Sequence, residues 1–135
     1  MKIQFLATIL FVLSVILLYS CFSQFTVKGY EVGVEKTVNV GEALLSYEEG
    51  KRHSAAEWDI RSATKEELVY AGIENNVIKI DYRQYYYQDG SYYIKDGFTQ
   101  RLSYDISEED IITYKNYKIQ VIKANSSGIT FIVLQ

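Results

Sequence analysis

The stretch Tyr82 to Tyr93, YRQYYYQDGSYY, holds six of the chain's 13 tyrosines around a central Asp89-Gly90. A phenol ring has a broad apolar face and a hydroxyl that both donates and accepts, so clustered tyrosines can stack on sugars or grip a protein surface. Other groups capable of chemistry are fewer. His53 is the only histidine, in the polar run Gly50-Lys51-Arg52-His53-Ser54. It reads as an exposed loop residue rather than the base that a Ser-His-Asp or Cys-His arrangement requires. Zinc draws on several Cys or His ligands, and one of each falls short.

The carboxylates come as neighbours: Glu48-Glu49, Glu66-Glu67 and Glu108-Glu109-Asp110. Adjacent residues on a strand point to opposite faces, whereas a glycosidase needs two acids converging across a cleft, so these read as solvated charge. The acidic run from Asp105 to Asp110 lacks the spacing of a calcium loop, and the eight dispersed glycines form no phosphate loop. No catalytic residue, metal site or cofactor is expected.

At 135 residues the chain has room for one domain. Its net charge of -3, with both signs interspersed, offers no basic stripe for a phosphate backbone, so nucleic acid is not an expected partner. The single cysteine, Cys21, leaves everything after it without a thiol. No disulfide can staple the domain, which must rely on packing and backbone hydrogen bonds.

The first residues, MKIQFLATILFVLSVILLYSCFS, set Lys2 before an apolar run from Phe5 to Leu18. That is the form of an export signal, and the run is shorter than the roughly 20 apolar residues of a membrane span. Its end, Leu18-Tyr19-Ser20-Cys21, resembles a bacterial lipobox, with a branched apolar residue three places before the cysteine and a small one directly before it; Tyr19 departs from the usual small residue. The resemblance implies a signal peptide over 1–20, and a diacylglycerol thioether on Cys21 with further acylation of its amine. The alternative is an ordinary cut after Ser23, which Cys21-Phe22-Ser23 also permits.

Behind a short tether at 21–24, the domain from 25 to 135 shows a period near two, broken by Gly, Asn, Asp and Ser, which predicts an all-β fold. Strands are expected over 25–34, 36–40, 67–73, 77–87, 91–94, 98–106, 111–114, 117–124 and 129–134. Asn75-Asn76, Asp89-Gly90, Lys115-Asn116 and Ser126-Ser127-Gly128 supply hairpin turns. The second half is then an antiparallel meander, closing as a small sandwich or barrel. Alternation puts Ile78, Ile80 and Tyr82, then Leu102, Tyr104 and Ile106, then Tyr117, Ile119 and Val121 on the core side. The segment Glu42 to Glu66 shows no alternation. Thr64 to Glu67 has the form of a capping box, and Ser107 to Asp110 that of one helical turn.

A two-residue Asp89-Gly90 turn pairs Gln88 with Ser91, Tyr87 with Tyr92 and Tyr86 with Tyr93. Parity then sends Tyr82, Tyr86 and Tyr93 to the core. Tyr85, Tyr87 and Tyr92 join Arg83 on the solvent side as the candidate binding surface. The runs Asp81-Tyr82-Arg83-Gln84-Tyr85 and Phe98-Thr99-Gln100-Arg101-Leu102-Ser103-Tyr104-Asp105 are similar to segments of small bacterial lipoproteins, a group that brings no established activity. The expectation is a lipid-anchored, non-enzymatic module, periplasm-facing or on the cell surface (at the outer membrane in a diderm), that binds an envelope protein or a glycan. A small secreted or envelope hydrolase, or a hydrolase inhibitor, is the alternative.

Overall fold

The computed structural model describes residues 22–53 and 56–135; the leader and Cys21 lie outside them. Strands follow one another as β1 (Phe22–Lys28), β2 (Glu35–Asn39), β3 (Ala43–His53), β4 (Ala56–Glu74), β5 (Val77–Gln88), β6 (Ser91–Asp105), β7 (Ile111–Tyr114), β8 (Tyr117–Ala124) and β9 (Gly128–Val133). The fold is all-β, with no helix among the described residues. Two antiparallel sheets face each other: a long one ordered β1-β3-β4-β5-β6 and a short one ordered β2-β9-β8-β7. Between them lies one apolar core built from both, with Leu44, Leu45, Leu68, Tyr70, Ile78, Ile80 and Tyr82 on one side and Val38, Ile112, Ile119, Val121, Ile129, Phe131 and Val133 on the other.

The hairpins follow the turn chemistry. Asn75 and Asn76 (φ 49° and 63°) and Asp89 and Gly90 (φ 50° and 84°) adopt the left-handed pairs of type I′ turns, and Lys115 enters the β7–β8 turn at φ 51°. Glu74 pairs with Val77, Gln88 with Ser91, and Tyr114 with Tyr117, so each loop has two residues. In the β8–β9 connection Asn125 Oδ1 accepts from the N–H groups of Ser127 and Gly128, an Asx turn.

Several sequence expectations are corrected. Strand β3 occupies part of the segment that lacked alternation. Its register with β4 shifts between Ala43 and Leu45, and this bulge lets the consecutive Leu44 and Leu45 both be buried. Thr64 to Glu67 is mid-strand in β4, paired on both sides by β3 and β5, so no helix forms there. Asp105 Oδ1 accepts from the backbone N–H of Ser107, turning the chain without a helix. Strand β6 is continuous, the two strands expected there being joined through an irregularity at 95–98 with Gly97 at φ 77°. At the other end, β1 starts at Phe22 and stops at Lys28; Phe22, Ser23 and Gln24, expected as tether, pair with His53, Arg52 and Lys51. His53 is therefore no loop residue. It ends β3 half-buried, with its ring edge-to-face on Phe22 at 5.7 Å.

Strand length shapes the molecule. Strand β4 runs 19 residues, about 60 Å at roughly 3.3 Å per residue, whereas β9 has six residues and spans about 20 Å. The long sheet consequently outruns the short one. Beyond Tyr82 its inner face has no second layer, and there Tyr86 and Tyr93, expected in the core, are 40% and 47% exposed. Alternation put them on the correct face; the cover that would bury them ends first.

Candidate binding site

The place where the short sheet stops is built from the β7–β8 turn. Lys115 holds a left-handed backbone there, a conformation that costs a non-glycine residue energy. Its ammonium crosses to the long sheet, 2.9 Å from both carboxylate oxygens of Glu66 and 3.1 Å from the Tyr82 hydroxyl, and lies over the Tyr82 ring at 4.5 Å. Tyr82 donates to Glu66 Oε1 at 2.8 Å and Gln84 Nε2 to the same oxygen at 3.3 Å. Gln84 Oε1 is buried without a hydrogen-bond partner.

Around this cluster opens a cleft of about 540 Å³ lined by Tyr30, Tyr47, Glu49, Thr64, Glu66, Gln84, Lys115 and Tyr117, among others. Tyr30 meets Tyr117 edge-to-face at 5.8 Å, and Tyr47 donates to Glu49 at 3.1 Å. The floor is made by cross-strand rows of the inner face: Lys28 beside Tyr47, Tyr47 beside Glu66, Glu66 beside Gln84, then Glu49 beside Thr64. Thr64 is in turn opposite Tyr86, and Tyr86 opposite Tyr93, with those two rings 5.9 Å apart. An aromatic ledge thus continues a polar cleft.

The sequence-predicted surface lies on the other face of the same sheet. Tyr85, Tyr87, Tyr92 and Arg83 share the side of Asp81, as parity required, but the three rings are half-buried and largely committed. Tyr85 donates to Glu67 at 2.9 Å, the Tyr92 hydroxyl is in short contact with Glu48, and Tyr87 packs edge-on against Tyr92 at 5.2 Å. Around them runs a charged lattice: Lys65 to Glu67 at 2.6 Å, Arg101 to Asp81 at 2.8 Å, and Arg83 to Asp81 at 3.8 Å. Replacing Tyr85, Tyr87 and Tyr92 together by serine is expected to lower stability by roughly 1–5 kcal/mol, the sum of two cross-strand contacts worth about 0.2–1 kcal/mol each and two tyrosine–carboxylate hydrogen bonds worth about 0.5–1.5 kcal/mol each. A shifted urea midpoint would show it.

The adjacent glutamates also differ from expectation. They point to opposite faces, but each accepts a tyrosine hydroxyl: Glu48 from Tyr92, Glu49 from Tyr47, Glu66 from Tyr82 and Glu67 from Tyr85. They are structural acceptors more than solvated charge. Sequence reasoning missed Lys115, Glu66 and Gln84; the available signal was a lysine where a two-residue turn prefers Asn, Asp or Gly. Among the described residues no group of three His, Cys, Asp or Glu is placed to hold a metal ion.

These contacts move proton affinities. Burial, and then the Glu48 carboxylate, holds the Tyr92 phenol well above its ordinary value. Burial does the same for Tyr82, with Glu66 adding to it and Lys115 opposing, while Tyr117 is pushed up to about 12 by burial and by its tyrosine and glutamate neighbours. Burial alone would lower the Lys115 ammonium, but hydrogen bonds to Glu66 and Tyr82 outweigh it and hold that group above the usual lysine range. All four groups keep their protons longer when folded. Their contribution is complete below about pH 10, where unfolded phenols and lysine are still protonated, and is lost as pH rises through the folded values. The phenolate absorbance contributed by Tyr82, Tyr92 and Tyr117 is therefore expected to appear above about pH 10 only in step with loss of β-sheet circular dichroism. Tyrosines titrating fully while the sheet signal holds would contradict it.

No family model matches this chain, and no curated protein and no solved structure shows significant similarity to it.

Proposed function

We propose that this chain is an exported bacterial lipoprotein, acylated on Cys21, whose β-sandwich is a non-enzymatic module that binds a glycan of the cell envelope. The observation that carries the binding role is the pair Tyr86 and Tyr93, half-exposed on an uncovered sheet face and continuous with a cleft lined by tyrosines, carboxylates, an amide and an ammonium. Exposed rings beside alternating donors and acceptors suit a ligand with apolar ring faces and many hydroxyls. The start of β1 at Phe22 favours cleavage before Cys21, because a cut after Ser23 would remove two residues that pair with His53 and Arg52.

A hydrolase is the second reading, favoured by one juxtaposition. Glu49 and Glu66 line the same cleft and are diagonal cross-strand neighbours, about 7–8 Å apart at the backbone. Two carboxylates converging on one cleft are what glycoside hydrolysis requires. The outer-face patch of Arg83, Tyr85, Tyr87 and Tyr92 is the competing binding surface. Saturable binding of soluble peptidoglycan fragments that is lost in Tyr86→Ser/Tyr93→Ser, kept in the outer-face triple variant and accompanied by no turnover supports the first reading. Turnover abolished by Glu49→Gln would establish the second.

A further inference from the structure

The far end of the long sheet carries a second feature, separate from the cleft. Trp58, the only tryptophan of the chain, is 84% exposed on β4, and Phe22 at the start of β1 is 48% exposed. They share one end of the sheet: Phe22 pairs with His53, His53 with Ala56, and Arg52 with Ile60, which brackets Trp58 in the strand. Cations flank the Phe22 ring. The Arg61 guanidinium lies 5.6 Å over the Phe22 ring, and Lys51, Arg61 and Phe22 line a shallow groove. A second pairing of an exposed ring with a cation, Lys95 4.1 Å over Phe98, lies on β6, at the opposite edge of the sheet from β1.

What covers these rings follows from where the chain leads. Phe22 is bonded directly to Cys21, the residue that carries the acyl chains in the function proposed above, and the inference rests on that reading. With no spacer between anchor and strand, this end of the sheet is held within a residue or two of the bilayer. Aromatic side chains favour the membrane–water interface, where an apolar ring meets a wet edge, and cations next to them favour anionic headgroups. We propose that the Phe22–Trp58 end of the long sheet is a membrane-contact surface, with both rings entering the headgroup region and Lys51 and Arg61 meeting anionic lipid. The sheet then stands on the membrane with β4 leading away from it, presenting the cleft to ligand at a distance set by the strand.

Because Trp58 is alone, its fluorescence reports on this site. The acylated protein, purified from membranes of the producing cells, is reconstituted into vesicles of phosphatidylcholine with phosphatidylglycerol and recovered by flotation. The expected result is emission shifted to shorter wavelength and quenched by lipid brominated near the headgroup, with both effects reduced in phosphatidylcholine alone and in Lys51→Glu/Arg61→Glu. Protein that floats while Trp58 keeps water-like emission and is quenched by iodide would overturn the contact surface and leave the anchor standing. A shifted emission that brominated lipid does not quench would also overturn it, in favour of a protein contact. Protein that does not float would overturn anchor and contact together.

Discussion

Phe131→Ala is expected to cost about 3–5 kcal/mol, enough to leave much of the population unfolded if total stability is within the usual 5–15 kcal/mol. Phe131 is 1% exposed on β9, a central strand of the short sheet, between Lys36 of β2 and Val121 of β8. Truncation removes a full ring from the one core shared by both sheets, and the short strands of that sheet can do little to close the cavity. No disulfide is available to limit the unfolded chain. Urea denaturation checks the size of the effect, with Ile132→Ala as the comparison. Ile132 is the next residue on the strand, points to the other face and is only half-buried, so its loss is expected to cost about 1 kcal/mol. Equal costs at the two positions would contradict the assigned core face.

The second large effect concerns Cys21. If the acyl chains hold the protein, Cys21→Ala is expected to abolish incorporation of a fatty-acid analogue and to move the chain from the membrane fraction to the soluble one. Each buried methylene contributes about 0.8 kcal/mol, so several acyl chains together exceed the marginal binding of a single one by a wide margin. The aromatic end around Trp58 would then have to hold the domain alone, and a few interfacial side chains cannot match that sum. A variant that stays fully membrane-bound would indicate retention of the apolar segment from Phe5 to Leu18.

Much of the long sheet was legible in the sequence because its signals are local. Alternation of Ile78, Ile80 and Tyr82 against Lys79, Asp81 and Arg83 marks two faces of one strand, and Asp89-Gly90 sets the register that pairs Tyr86 with Tyr93 and Tyr87 with Tyr92. Features that depend on distant parts of the chain were not legible. Leu44 and Leu45 hide β3 because a bulge buries two consecutive residues. Tyr86 and Tyr93 lie on the core side, yet their exposure depends on where the unrelated strands β7 to β9 end. The cluster of Glu66, Tyr82, Gln84 and Lys115 joins residues up to 49 positions apart, and only the stacking of the sheets brings the lysine to the glutamate. A pair that looked like solvated charge became a hydrogen-bonding centre. Replacing Lys115 by Ala is expected to cost about 1 kcal/mol, the upper end for a half-exposed ion pair, and to alter ligand affinity more than the urea midpoint.

The central claim, that the uncovered tyrosine ledge and its cleft bind glycan, is tested most directly by calorimetric titration of the acylated protein in vesicles with soluble peptidoglycan fragments. The wild-type chain is expected to give saturable heat, and Tyr86→Ser/Tyr93→Ser to bind on the order of tenfold weaker or worse for each ring removed, since about 1.4 kcal/mol corresponds to tenfold. The urea midpoint of that variant should stay close to the wild type, because both rings are substantially exposed. No saturable heat from the wild type, or equal affinity in the variant, would contradict the account.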